Sequence, residues 1–387
     1  MKRVSVIIIC ICLMLCGCVS KTTPTKPAEQ VEQLKGVWIT YNELSSFSSS
    51  SLGFVAAFQQ AVEQAKSIGT NALFVHTRAF CDAIYSSEFF PFAKYILPSE
   101  TDILKTMIDI CHQNGIEFHA WINPYRISTA SSEVNTLPEN SPAKQWLTDD
   151  DSNNDKNICF TENGIYLNPA ESECKKLVLD GVREILKNYD VDGIHIDDYF
   201  YPTTDKQFDK VSYENYVKTH EMPLTLDEWR RKNVSSLINS IYCTVKTHSR
   251  DMVFGVSPAA DISRNYNQLY ADVEGWIGGG YIDYIMPQLY FGFEYPDEQF
   301  CFDNLLTKWI DITAGKDVKL YCGLSSYKIG TTSEPDKEEW KNRDDILARQ
   351  VKLLKENHVS GYVFFSYSSL FSNEELNKKQ LDNIKRE

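Results

Sequence analysis

The stretch Val191-Asp192-Gly193-Ile194-His195-Ile196-Asp197-Asp198-Tyr199-Phe200-Tyr201-Pro202 reads as a short buried strand with chemistry at its exit. A turn dipeptide, Asp192-Gly193, opens it, apolar residues run through its middle, and Pro202 forbids further pairing. Two adjacent carboxylates and three aromatics stand where it ends. Neighbouring strand residues point to opposite faces, so Asp197 and Asp198 reach one cavity only if the strand is breaking up at its mouth. One of the two is then expected to be catalytic and the other supportive. The plain alternative is a strand-to-loop corner whose acids bind water or cap a helix.

On either side of this stretch, strand and helix patterns alternate. Apolar runs at 36–40, 71–77, 116–123, 193–197, 253–256, 284–290, 318–324 and 361–366 read as eight strands. Helical spacing over 54–68, 102–114, 171–189, 226–248, 268–277, 302–313 and 344–357 separates most of them, with Gly69 and Gly115 as stops. Strands that are near-continuous apolar runs belong in a parallel sheet covered on both faces, so the repeat predicts an α/β closed barrel in a single domain over 34–387. An open doubly wound sheet is the alternative. It lacks its phosphate loop, because Tyr41-Asn42-Glu43-Leu44 follows the first strand instead of a glycine-rich turn.

In a closed parallel barrel the carboxyl ends of the strands form the functional face. Polar and aromatic residues collect there: Tyr41, Asn42 and Glu43 after the first strand, and His76, Thr77, Arg78, Asp82 and Tyr85 around the end of the second. Trp121, Asn123, Tyr125 and Arg126 end the third, Ser257 the fifth, Gln288 and Tyr290 the sixth, and Ser366 and Tyr367 the eighth. Each has a structural explanation taken singly. Their shared placement on one rim is what those explanations leave out.

The chain as a whole narrows the partners. At 387 residues, with 43% hydrophobic and 12% aromatic content, it can bury a full core, and a net charge of −14 disfavours nucleic acid as a partner. Residues 1–18 read as an export leader: Lys2 and Arg3 precede an apolar run from Val4 to Leu15, shorter than the about 20 residues of a membrane span. The run ends in Leu15-Cys16-Gly17-Cys18, which looks like a bacterial lipobox, so Cys18 is the expected lipidation site and the chain is expected on the outer face of a membrane. Residues 19–33, polar and carrying Pro24 and Pro27, read as a tether. The seven cysteines beyond them are scattered without paired metal-ligand spacing. They are read as mostly buried thiols with at most one disulfide, and neither a cofactor nor a metal is expected.

Several motifs in order, Gly36-Val37-Trp38-Ile39-Thr40, 77–85, His119-Ala120-Trp121-Ile122-Asn123-Pro124-Tyr125-Arg126, Tyr166-Leu167-Asn168-Pro169 and 192–202, together resemble the bacterial glycosyl hydrolase-like 10 family over roughly 34–370. The resemblance implies a (β/α)8 TIM barrel, export or lipid anchoring, and a cell-envelope glycoside hydrolase; some members cleave peptidoglycan glycan strands. The stretch 192–199 is also similar to the chitinase pattern Asp-Gly-x-Asp-x-Asp-x-Glu, but His195 replaces the middle Asp and Tyr199 stands where the proton-donating Glu belongs.

Glycoside hydrolysis needs two carboxyl groups about the scissile bond, one of them protonated at working pH. Asp198 is the first choice for a catalytic carboxylate, with Asp197 orienting it or exchanging roles, and Glu43 is the leading second carboxyl, ahead of Glu294. Asp82, an ion-pair partner for Arg78, is assigned with it to substrate binding. Trp121, Tyr125, Tyr199 and Tyr290 are expected to stack on sugar faces, and Asn123, Arg126, Asn168, His195 and Gln288 to take hydroxyl or acetamide groups. Barrel glycosidases commonly carry a nucleophilic Glu after the seventh strand, where Leu324-Ser325-Ser326-Tyr327 offers none. A non-catalytic glycan-binding barrel is therefore the first rival reading. The last-ranked rival is a metal-dependent deacetylase built on His76, His119 or His195 with Asp197.

Overall fold

The computed structural model describes residues 33–97, 99 and 101–387. The leader, Cys18 and the tether up to residue 32 lie outside these residues. Eight parallel strands close into a barrel: β1 (Leu34–Ile39), β2 (Ala72–Arg78), β3 (Glu117–Ile122), β7 (Gly193–Ile196), β8 (Val253–Val256), β9 (Tyr284–Ile285), β10 (Lys319–Ser325) and β11 (Gly361–Phe365). β1 pairs with both β2 and β11, so the first and last strands meet in one seam. The barrel expected from the apolar runs is present.

Each strand is buried on both faces, and β2 is buried along its full length. The inward faces carry Trp38, Phe74, Trp121, Tyr284 and Tyr321, which fill the interior as a second apolar cluster distinct from the strand–helix layer. So many rings fit because facing strands supply glycine: a Cβ on Gly255 would run into the Tyr284 ring, and one on Gly193 into His119. The helices present their apolar stripe to the outside of the strands. In Ser172–Asn188, for example, Cys174, Leu177, Val178, Val182 and Ile185 recur at the helical period and are buried.

Three features depart from the sequence expectation. The helix expected at 268–277 is replaced by two short ones, Ile262–Asn267 and Val273–Gly279, because Tyr270 adopts a left-handed backbone (φ 56°) and Asp261 and Asp272 each cap a new start. The sixth strand stops at Ile285 rather than 290, since Pro287 has no N–H to donate; beyond it only Gln288 forms isolated bridges. Between β3 and β7 the chain builds a small antiparallel sheet, β4 (Arg126–Ser128), β5 (Ile158–Thr161) and β6 (Gly164–Leu167), in the order β4-β6-β5. Arg126 stands opposite Tyr166 in its register, so this excursion fixes Arg126 at the barrel mouth.

Candidate active site

β7 ends at Ile196, and with it the strand alternation that would send Asp197 and Asp198 apart. Both carboxylates line one cavity of about 400 Å³ at the carboxyl end of the barrel. Asp197 is 3% exposed; its Oδ1 accepts from the Tyr199 N–H at 3.3 Å and its Oδ2 is buried with no partner. Asp198 is half-buried, and its Oδ1 accepts from Gln288 Nε2 at 3.1 Å. Gln288 also donates to the Ser257 carbonyl at 3.0 Å, which fixes the direction of its amide.

Burial raises both carboxyls above the ordinary carboxylate range. For Asp197 the Asp198 charge adds to burial, and Arg126 opposes it; for Asp198 the Gln288 hydrogen bond and Arg264 oppose it. Donors aimed at Asp198 and a like charge facing Asp197 give the pair a sequence of ionisation. Of the two, Asp197 is pushed further up.

The walls are aromatic and cationic. Trp121 stacks on His76 at the floor, and the Arg126 guanidinium lies 4.1 Å from the centroid of Tyr199, which is 49% exposed. The Tyr199 phenol is pushed up to about 12 by burial and by the two nearby carboxylates. Tyr290 stacks on Phe365 (5.6 Å between centroids) and meets Tyr327 edge-on. A second cavity of about 380 Å³ adjoins the first. Asp198, Gln288, Tyr290 and Tyr327 line both, and Asp261, Arg264 and Lys328 line the second alone. Asp198 thus stands where the two cavities meet.

Of the residues assigned from the sequence, this opening gathers Asp197, Asp198, Trp121, Arg126, Tyr199, Gln288 and Tyr290. Glu43 has to be corrected. It is 3% exposed and absent from the lining. Its Oε2 accepts from the Thr40 N–H (2.8 Å) and hydroxyl, and its Oε1 from the Ser368 N–H (3.0 Å), the Ser368 hydroxyl (2.7 Å) and the Ser366 hydroxyl. It closes a capping box at the helix Tyr41–Ser48 and ties the end of β1 to the residues after β11. Glu294 reaches only Arg343, in a partly exposed ion pair.

Five further assignments also move. Arg78 is buried with its guanidinium against Phe90, and Tyr125 is packed in the core. Asn123 donates to the Ala79 carbonyl at 2.9 Å, and Asn168 braces the excursion through Lys156 and Ser212. His195 is wholly interior: Trp38 Nε1–H donates to its Nε2 (3.3 Å) and its Nδ1 pairs with the Tyr284 hydroxyl (3.0 Å). None of the five lines the opening; the fold partners the polar atoms of Asn168 and His195, whereas Arg78 Nε and Nη1, Asn123 Oδ1 and the Tyr125 hydroxyl are buried without a partner. Asp82 lines a different cavity, and burial lifts its carboxyl to about 6.

Tyr41, Asn42, His76 and Ser257 join the lining from rim positions noticed in the sequence, Tyr327 joins it unforeseen, and Arg264, also unforeseen, lines the adjoining cavity. Tyr327 sits in the 3-10 turn Ser326–Lys328 after β10, where the search for a carboxylate drew attention away from the aromatic. Arg264 belongs to the helix that was sought six residues later. Among the described residues no group of three or more His, Cys, Asp or Glu side chains is placed to hold a metal ion. The seven described cysteines are unpaired, and all but Cys243 are buried.

Comparison with known proteins agrees with this architecture. Glycosyl hydrolase YngK of Bacillus subtilis is 32% identical over 380 residues, covering 89% of this chain and 70% of that protein. Glycosyl hydrolase DigH of Escherichia coli K12 is 28% identical over 383 residues, covering 85% of this chain and 84% of its own length. Among solved structures, the PgaB (BpsB) glycoside hydrolase domain of Bordetella bronchiseptica superposes with a TM-score of 0.62 at 12% identity, over 91% of this chain and 99% of that one, a likeness of fold. The family model described as glycosyl hydrolase-like 10 matches residues 33–342. With that match spanning most of a closed parallel barrel, the chain belongs to the glycosyl hydrolase-like 10 family.

Proposed function

We propose that this protein hydrolyses glycosidic bonds in a cell-envelope glycan, with peptidoglycan strands as the substrate, and that Asp197 and Asp198 are its catalytic carboxylates. One observation carries the reading: two adjacent acids, Asp197 buried and Asp198 half-buried, share the opening of the barrel, with Gln288 donating to Asp198 while Asp197 Oδ2 has no partner. In the singly protonated pair, Asp197 gives its proton to the leaving glycosidic oxygen as the bond to the anomeric carbon breaks. Ionised Asp198, fixed by Gln288 at the meeting of the two cavities, faces the positive charge developing at that carbon. Water adds to that carbon and its proton passes to the pair, which regains the single proton it gave up. Tyr199, Tyr290 and Trp121 supply ring faces for sugars, and Arg126 suits a polar or anionic substituent.

An envelope location rests on the leader and on Cys18 as a lipid-bearing N-terminus. Membrane fractionation tests it: the full chain should pellet with membranes, and Cys18→Ser should release it. The activity is tested by incubating the protein with purified glycan strands, bearing or lacking stem peptides, and weighing the products by mass spectrometry. Shortened strands support hydrolysis; acetate release from strands of unchanged length would support a deacetylase. Bound but intact strands would favour the non-catalytic barrel, the reading suggested by Ser325, Ser326 and Tyr327 standing where a nucleophilic Glu is common.

A further inference from the structure

Beyond the two cavities that meet at Asp198 lies a third, of about 340 Å³, on the other side of the opening. Tyr41 and Asn42 line both it and the central cavity, so the two cavities adjoin at those residues. A run of rings crosses this divide. Tyr41 lies 5.7 Å from His76 on the central side and, on the far side, 5.2 Å from Phe80 and 5.7 Å from Tyr95. Arg126 spans the same step, with its guanidinium 4.1 Å from the Tyr199 centroid and 5.1 Å from that of Phe80.

The far cavity has the makings of a sugar site. Phe92 stands on its lining, 44% exposed, and offers an apolar ring face. Asp82 and Lys94 put an acceptor and a donor on the same lining, and the Tyr95 hydroxyl is buried without a partner. A cavity mostly apolar, with a few convergent polar groups, suits a pyranose ring, which has one C–H face and a rim of hydroxyls.

We propose that this third cavity is a distal subsite that binds further sugar units of the same glycan strand, carried over Tyr41 and seated against Phe92. The opening is then the middle of a groove, and the protein takes an internal segment of a polymer rather than its end. The inference rests on the glycoside-hydrolase reading for the identity of the ligand.

The test uses the full chain carrying Asp198→Asn, so that strands bind without turnover, and a ladder of peptide-free glycan oligosaccharides of increasing length in calorimetry. Affinity should climb by about tenfold once the oligosaccharide is long enough to reach past Tyr41. Adding Phe92→Ala should remove that gain, and Phe92→Trp should keep it, with melting curves showing all three folded. An affinity that stops rising at the length filling the two cavities beside Asp198, or a gain that survives Phe92→Ala, would overturn the subsite. If the wild-type chain cuts nothing but the length-dependent gain appears and needs Phe92, the hydrolase reading fails and the subsite stands.

Discussion

Replacing Glu43 by Ala separates a structural acid from a catalytic one. The side chain accepts five hydrogen bonds, two of them from the backbone N–H groups of Thr40 and Ser368. Thr40 is buried, so its N–H loses its only acceptor and stays out of reach of water, at a cost of about 1–3 kcal/mol. Loss of the capping box costs roughly 1 kcal/mol more. Ser368 is exposed and its groups can turn to solvent, and removing a buried charge returns part of the loss. The net is about 1–3 kcal/mol, or roughly a 2–4 °C fall in melting temperature for a domain of this size. Because Glu43 joins the ends of β1 and β11, the loss should appear in global unfolding followed by circular dichroism. Turnover on glycan strands, measured well below the melting point, should stay within a few-fold of wild type. A hundredfold drop in kcat with an unchanged melting curve would refute this reasoning and restore Glu43 as a catalytic carboxyl.

Other predictions concern the acidic pair. Asp197 has a raised folded-state pKa, so the native state binds its proton more tightly than the unfolded chain does; the group's contribution is most favourable at low pH and is lost as pH rises from about 4 through the folded value. Asp197→Asn should therefore raise the melting temperature at pH 7 more than at pH 4 while lowering kcat about a hundredfold or more; equal effects at both pH values would contradict a raised pKa. Gln288→Leu removes the donor that favours ionised Asp198, so the acidic limb of the kcat/KM profile should move to higher pH. A limb that stays in place would mean that Asp198 does not set it.

Much of the barrel could be read from the sequence because its strands are continuous apolar runs closed by glycine or polar turns, which a parallel sheet buried on both faces demands. The placing of Asp197 and Asp198 at the opening was visible for the same reason: Pro202 and the aromatics mark a strand that is about to end. What stayed hidden depends on distant contacts. Asn168 and Tyr125 sit in motifs as distinctive as Asp197, yet they serve the β4-β5-β6 excursion and the core, and a motif does not say which way its side chains face. His195 precedes the pair by two residues but lies a layer deeper, inside β7 and held by Trp38 and Tyr284. Glu43 did carry a local warning: Thr40-Tyr41-Asn42-Glu43 spells a capping box, a signal of helix start that argues against a free carboxylate.

If the acids that follow the fourth barrel strand break the bond, kcat/KM of Asp198→Asn on purified glycan strands must fall. The substitution keeps the shape of the side chain and removes the charge that faces the anomeric carbon. The expected fall is about a thousandfold with an unchanged fold; cleavage at a rate near that of the wild type would mean that Asp198 takes no part in the bond breaking.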